Sequence, residues 1–388
     1  MTTHSTLELD GAADILWDVL VVGAGPAGAM SAYALAKRGA KVLVVDKSTF
    51  PRYKVCGCHF NASALATLRH AGLGGLMTEL GALPIDHYCV AANGHVARMK
   101  LPGAMSVSRA AFDEALVKQA VEAGAHFLTK TKAEALSAEP KFREIALTQR
   151  DSTATVQAQL LIAADGLGGG LLKRTDDVTS QVEDDSRIGA GVIAPTAPDF
   201  FAPRYIHMAC GKFGYVGAQI IEDGTLDIGA ALDAAFVRES GGLGPAAAKT
   251  LAEAGMPAIP NLESLPWRGT PALTRAPRFR TAHRAFVVGD AAGYVEPFTG
   301  EGIAWALAGG LAVAPIVESA LANYSNRYLH DWEMRYRAII TNRQYVIRAL
   351  AYGLRTPSLV NLSVYMLKHA PILAKPFIRS ISSPVEFV

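Results

Sequence analysis

Residues 17–48 read WDVLVVGAGPAGAMSAYALAKRGAKVLVVDKS, and this stretch decides the fold. Val19 to Val22 is a short β-branched run ended by a glycine turn, which suits a strand buried on both faces. Ala27 to Arg38 is alanine-rich, has no breaker after Gly28, and stops at Gly39, a residue favoured just past a helix end. Lys41 to Val45 reads as a second buried strand. The turn Gly23-Ala-Gly25-Pro-Ala-Gly28 fits G-x-G-x-x-G. Gly23 allows the tight turn, Gly25 lets backbone approach a pyrophosphate, and Gly28 permits close packing of helix on strand; the helix N-terminus supplies amide donors. Asp46 ends the second strand, where a carboxylate accepts from a ribose hydroxyl. A lone glycine motif is a weak signal. Strand before, helix after and acid at this distance make it a dinucleotide site.

The turn admits NAD or FAD, and a remote segment chooses between them. Arg284 to Ala308 reads RAFVVGDAAGYVEPFTGEGIAWALA. Phe286 to Val288 is another candidate buried strand, Gly289-Asp290 closes it, and Glu301-Gly302 opens a long alanine-rich helix. An element so distant in sequence returns to the nucleotide site when the cofactor is long, as FAD is. Asp290 would accept from the ribityl chain, and the helix from about Gly300 would aim amides at the flavin edge that carries charge on reduction. Between the two lies LLIAADGLGGG, with Asp165-Gly166 after a third strand.

The set DVLVVGAGPAGA, FPRYKVCG, SVSRAAFDEAL, AADG and GDAAGYVEPFTGEGI resembles the geranylgeranyl reductase branch of the para-hydroxybenzoate hydroxylase flavoproteins. Aromatic hydroxylases of that superfamily carry a histidine and a glutamine where this chain has Gly293 and Glu301. The resemblance implies an α/β fold: a glutathione-reductase-like (Rossmann) FAD domain over 15–75, 105–175 and 270–322, with an inserted antiparallel-sheet substrate domain over 76–104 and 176–269. A C-terminal helical segment, 323–388, follows. Carried over by position, Gly23, Gly25, Pro26, Ala27, Gly28, Asp46, Lys47, Arg52 and Arg109 would hold the ADP half of FAD, and Asp165 would shape its loop. Cys56, Gly57, Gly289, Asp290, Pro297, Gly300, Gly302 and Ile303 would hold the flavin half. The implied reaction is hydride transfer at flavin N5 to reduce or dehydrogenate a hydrophobic isoprenoid, polyketide or quinone-like molecule. NAD(P)H would be a transient donor, since no second nucleotide fingerprint is present. The alternatives are an NAD(P)H-dependent monooxygenase acting on an aromatic or polyketide, and a flavin-binding module without turnover.

The substrate element departs from the family. Its Tyr-x-Trp-x-Phe-Pro pattern keeps Tyr215, a candidate pocket residue, but has Gly217, Gln219 and Ile220 at the next three positions, which predicts a wider, more polar pocket. Within FGYVGAQIIEDGTLDIGAAL, alternation around Asp223-Gly224 predicts a hairpin.

Residues 51–61, PRYKVCGCHFN, place Cys56 and Cys58 beside His59. In the resembled family this segment passes the isoalloxazine. Four readings stand: a metal site, which these crowded ligands complete only with Cys89 or Cys210; a strained, labile disulfide; thiols that fill space; or Cys56 and Cys58 as catalytic residues at the flavin.

The chain has 388 residues, half of them apolar, and a net charge of +2. That supports a large core and gives no electrostatic case for nucleic acid. Four cysteines are too few for a secreted disulfide framework, and the polar start MTTHSTLELDGAAD lacks a signal-peptide pattern, so a cytoplasmic location is expected. Gly302 to Val317 reads as a buried helix. Residues 323–388 carry nine basic and three acidic side chains, a net +6. They form either a solvated cap or a contact for an anionic membrane surface or a carrier-linked substrate.

Overall fold

The computed structural model describes residues 3–56, 58–176, 178–296 and 298–387. Gly57 and Pro297, both expected at the flavin, lie outside the described residues.

The first of two eight-stranded sheets runs in the order Thr281–Ala282, Ala285–Val287, Ser152–Ala163, Leu16–Val22, Val42–Val45, His126–Leu128. Leu16–Val22 lies between two parallel partners, with Val22 opposite Val45 on one side and Ala163 on the other. Both faces of these strands are covered, which is why the run VLVV shows no alternation and is buried throughout. Thr131–Ala138 and Arg143–Gln149 extend this sheet as an antiparallel meander.

Helix Pro26–Ala36 is buried along its whole length. It presses against helix Gly302–Ala322 so closely that a Cβ on Gly310 would lie 2.3 Å from the Ala27 carbonyl oxygen. Gly302–Ala322 is long and apolar enough to cross a membrane, yet 78% of its apolar window is buried inside the protein. Pro315 sits inside this helix on its exposed side.

The second sheet runs Arg268–Ala272, Ile188–Ala194, Leu226–Leu232, Gly214–Ile220, Tyr205–Gly211, Leu83–Ala92, His95–Ser106, His59–Phe60. The expected hairpin is present: Gly214 pairs with Leu232 and Ile220 with Leu226, and the Gly224 N–H donates to the Ile221 carbonyl at 2.9 Å. Leu226, Ile228, Ala230 and Leu232 face one core, in which the helix Leu243–Ala254 packs. Period-two alternation puts Asp227 on the opposite face, beside its register partner Gln219.

His59 and Phe60 pair with Ser106 and Met105 at the edge of this second sheet. The chain from Asp46 to Asn61 therefore passes from one sheet to the other, and the site is built along that passage. Four C-terminal helices, Arg327–Tyr336, Asn342–Gly353, Pro357–His369 and Lys375–Ser382, complete the chain.

Candidate functional site

The glycine turn is held from two sides. A Cβ on Gly23 would lie 2.2 Å from the Ala164 carbonyl oxygen, and one on Gly28 would lie 1.9 Å from the Gly23 carbonyl oxygen. Gly23 also has φ +102°, a conformation glycine adopts without strain. Asp46 accepts from the Ala24 N–H at 2.9 Å and the Ser48 N–H at 2.8 Å, so it ties the turn to the following loop. Pro26 takes the first helical position and Ala27 packs under Gly289. Lys47 is exposed beside Asp46.

Gly25 opens the turn toward positive charge. A Cβ there would meet guanidinium nitrogens of Arg109 and Arg52, both at 3.9 Å. Fully buried Asp113 orients these two arginines: Arg109 donates to it twice at 2.8 Å, and Arg52 lies 3.0 Å away. Asp165 turns back on its own loop and accepts from the Gly170 and Leu171 N–H groups. Asp290 is raised in pKa by burial, with Lys54 opposing. Lys54 is exposed in surface terms yet closely surrounded, and desolvation lowers its pKa. This arrangement fits FAD: a bare turn at a helix N-terminus, two oriented guanidiniums for the phosphates, and Asp290 farther along for hydroxyls.

Cys56, half-buried, and Cys58, buried, are free thiols that meet through their side chains. Cys58 donates to Cys56, which pulls the Cys56 pKa down despite burial; the Arg109 guanidinium adds to this. The same bond and burial push Cys58 well above the ordinary thiol range. Asp227, almost fully buried, joins them from the second sheet. Among the described residues its two carboxyl oxygens have no hydrogen-bond partner, and the Cys58 thiol lies beside them. Burial, with the nearby Cys56 thiolate, keeps Asp227 protonated far above the usual carboxyl range. No group of three His, Cys, Asp or Glu suited to a metal ion occurs among the described residues.

At the start of helix Gly302–Ala322, a Cβ on Gly300 would strike the His59 ring at 2.7 Å. Burial lowers His59 to about 4 and raises Glu301 to about 7; the Gln219 side chain opposes the His59 shift by hydrogen bonding. Gly302 faces the Tyr294 hydroxyl, and Ile303 is buried in the core.

Beyond His59 opens a cavity of about 490 Å³. His59, Asn61 and Thr299 line it, and the remaining wall is largely apolar, including Tyr88, Met99, Phe298, Leu350, Val364 and Phe377. The expectation of a more polar pocket is corrected by this apolar wall. Met208 covers Gly217, whose Cβ would lie 2.9 Å from the Met208 sulfur, Gln219 serves His59, and the C-terminal helices supply an aliphatic wall. Tyr215 stands behind the wall, edge-on to Phe298 at 5.0 Å.

Residues 17–209 match the family model described as an FAD binding domain. Digeranylgeranylglycerophospholipid reductase 1 of Methanopyrus kandleri is 30% identical over 353 residues, 83% of this chain and 87% of that protein. The chain belongs to the geranylgeranyl reductase-like branch of the para-hydroxybenzoate hydroxylase flavoproteins. FAD is its cofactor. A menaquinone reductase of Mycobacterium tuberculosis is 36% identical over 157 residues, a match that spans 38% of this chain and only 37% of that relative. In fold, the flavoprotein matches p-nitrophenol 4-monooxygenase of Pseudomonas putida at TM-score 0.77 and 14% identity, over 95% of this chain and 98% of that one.

Sequence reasoning missed Asp227, Tyr53, Asp113 and Lys54 in this flavoprotein. Asp227 left one signal, a lone acid in the apolar strand LDIGAAL. Tyr53 left none: its hydroxyl is buried, and a Cβ on Gly191 of the second sheet would lie 2.8 Å from it.

Proposed function

We propose that this flavoprotein reduces or dehydrogenates a carbon–carbon bond in a hydrophobic substrate of isoprenoid or quinone-like character. The observation that carries this reading is the apolar cavity, which ends at His59, Asn61 and Thr299 next to the candidate cofactor residues. Bound FAD supplies hydride transfer at N5. The chain must bind an apolar molecule, exclude water from the reacting end and move one proton. In this reading Gly23, Gly25, Gly28, Arg52 and Arg109 hold the phosphates, and Asp290 holds the ribityl side.

We assign the proton to Cys56. Its lowered pKa lets the sulfur release or accept a proton near neutral pH, and Arg109 stabilises the thiolate. Cys58 and Asp227 both stay protonated behind it and form a two-member proton reserve. His59, neutral because burial opposes its charge, caps the cavity without adding a cation. A membrane surface or a carrier-linked substrate is the contact that the basic C-terminal segment, 323–388, would serve, and this part does not depend on the reaction.

The test is anaerobic reduction of the bound flavin, then mixing with a polyprenyl quinone or an unsaturated prenyl lipid. Flavin reoxidation with a reduced carbon–carbon bond in the product supports the proposal. A product carrying an oxygen atom from O2 after aerobic mixing would make the chain a monooxygenase instead.

A further inference from the structure

We propose that the outer face of the C-terminal helices is a docking surface for an anionic lipid bilayer, and that it sets the cavity mouth against the membrane. The delivery role rests on the substrate reading above; the docking itself does not.

Three observations converge. Helix Pro357–His369 has no charge from Thr356 through Leu367, although it lies on the surface. Val360 and Val364 face inward, while Leu359, Leu362 and Met366, at i, i+3 and i+7, form an outward stripe. Leu362 is 54% exposed and, just past the helix, Ile372 is 63% exposed. A soluble monomer seldom leaves so many large apolar side chains together on one element.

The stripe is also continuous with the cavity. Leu359, Met366 and Leu373 line the cavity and are themselves exposed, so they form its rim. Leu362 and Ile372 lie outside it. An occupant of the outer face therefore meets the cavity mouth.

Charge selects the occupant. Arg348 and Arg355 of the same segment are consumed by Glu183 and Asp185. Lys368, Lys375 and Arg379 are exposed and make no ion pair among the described residues. Apolar side chains bordered by free cations match the boundary between acyl chains and anionic headgroups. A protein partner would need a complementary acidic rim around an apolar centre; a bilayer with anionic lipid supplies both without specific shape.

The experiment is co-sedimentation of the FAD-loaded protein with phosphatidylcholine vesicles, with and without phosphatidylglycerol, at low and high salt. Two double variants accompany it, Leu362→Ser with Ile372→Ser, and Lys368→Glu with Lys375→Glu; flavin retention and melting temperature confirm that each is folded. The expected result is binding to phosphatidylglycerol vesicles, weakened by salt, with each pair lowering the partition coefficient about tenfold or more. Wild-type protein that stays in the supernatant overturns the proposal, as do variants that bind like wild type. A dimer split by the serine pair, with no vesicle binding, would assign the face to a second copy. Intact vesicle binding with no turnover of any prenyl or quinone substrate would instead reject the substrate reading and leave docking standing.

Discussion

Replacing Cys58 by alanine should raise the pKa of Cys56, because it deletes the thiol that donates to the Cys56 sulfur. A hydrogen bond to a charged group is worth roughly 1.5–3 kcal/mol, and one pKa unit corresponds to about 1.4 kcal/mol, so the shift is roughly one to two units upward. Rapid alkylation by iodoacetamide, read by mass spectrometry as a function of pH, measures it. Cys56 is half-buried while Cys58, Cys89 and Cys210 are buried, so one thiol dominates the fast phase. At a fixed pH below the midpoint, fewer thiolates are partly offset by higher intrinsic nucleophilicity, which leaves a rate loss of roughly 3- to 10-fold. Cys58→Ser retains a donor and should hold the midpoint within about half a unit of wild type. Asp227→Asn exchanges one neutral group for another if burial keeps the carboxyl protonated. A Cys56 midpoint that falls by a unit or more in Asp227→Asn would show that Asp227 is an anion and refute the reserve. An unmoved midpoint in Cys58→Ala would refute the donated bond.

Gly28→Ala should destabilise the fold by roughly 1–3 kcal/mol and yield colourless protein, because its Cβ would stand 1.9 Å from the Gly23 carbonyl oxygen; visible flavin at wild-type stoichiometry would contradict this. Asp290→Ala is expected to retain less flavin after gel filtration than Asp46→Ala, though the Ala24 N–H bond to Asp46 narrows the difference; the reverse order would misplace the flavin. Glu301 favours its protonated form on folding, with a pKa raised to about 7, so it lowers stability as pH climbs from the unfolded carboxyl value to about 7. Glu301→Gln should remove that slope, a difference on the order of 3 kcal/mol by pH 8, read as melting temperature against pH. His59 has the opposite sign, its stabilisation being lost as pH falls from the unfolded histidine value toward about 4, and it remains in both proteins.

The nucleotide half of the fold was legible because its signals are local. Val19 to Val22, the turn to Gly28 and the run from Val42 lie within one unit, and each residue type answers a constraint set by its neighbours. The hairpin was legible for the same reason, since Asp223-Gly224 sits between two alternating runs. Asp227 was not, because its meaning depends on register: a shift of one residue would send it to the opposite face, and no local feature fixes which face meets Cys58. The apolar wall was hidden by sequence distance. Val360 and Val364 meet Tyr88 and Met99 across more than two hundred residues, and their helix could be read only as a basic cap.

Gly300 explains how the two halves of the site come to adjoin. Its φ of +80° and the close approach of the His59 ring leave no room for a side chain, so the start of helix Gly302–Ala322 lies directly against the edge of the second sheet. That contact puts a neutral imidazole in the wall of an apolar cavity, while Cys58, the next residue back along the chain, hydrogen-bonds with Cys56 and lies beside Asp227. His59 thereby adds no charge to the cavity wall, and the exchangeable protons lie outside that wall, on residues next to His59 in the chain or facing it from the second sheet. A substrate whose reacting bond is apolar needs both conditions, because water at that wall would compete for the proton and a fixed cation would repel the hydrocarbon. Glu301, buried near the same junction with a pKa of about 7, is the second group there, besides Cys56, whose charge changes near neutrality. Any pH dependence of turnover that survives Cys56→Ser should therefore vanish in Glu301→Gln; if it persists in the double variant, a group outside this junction controls the proton.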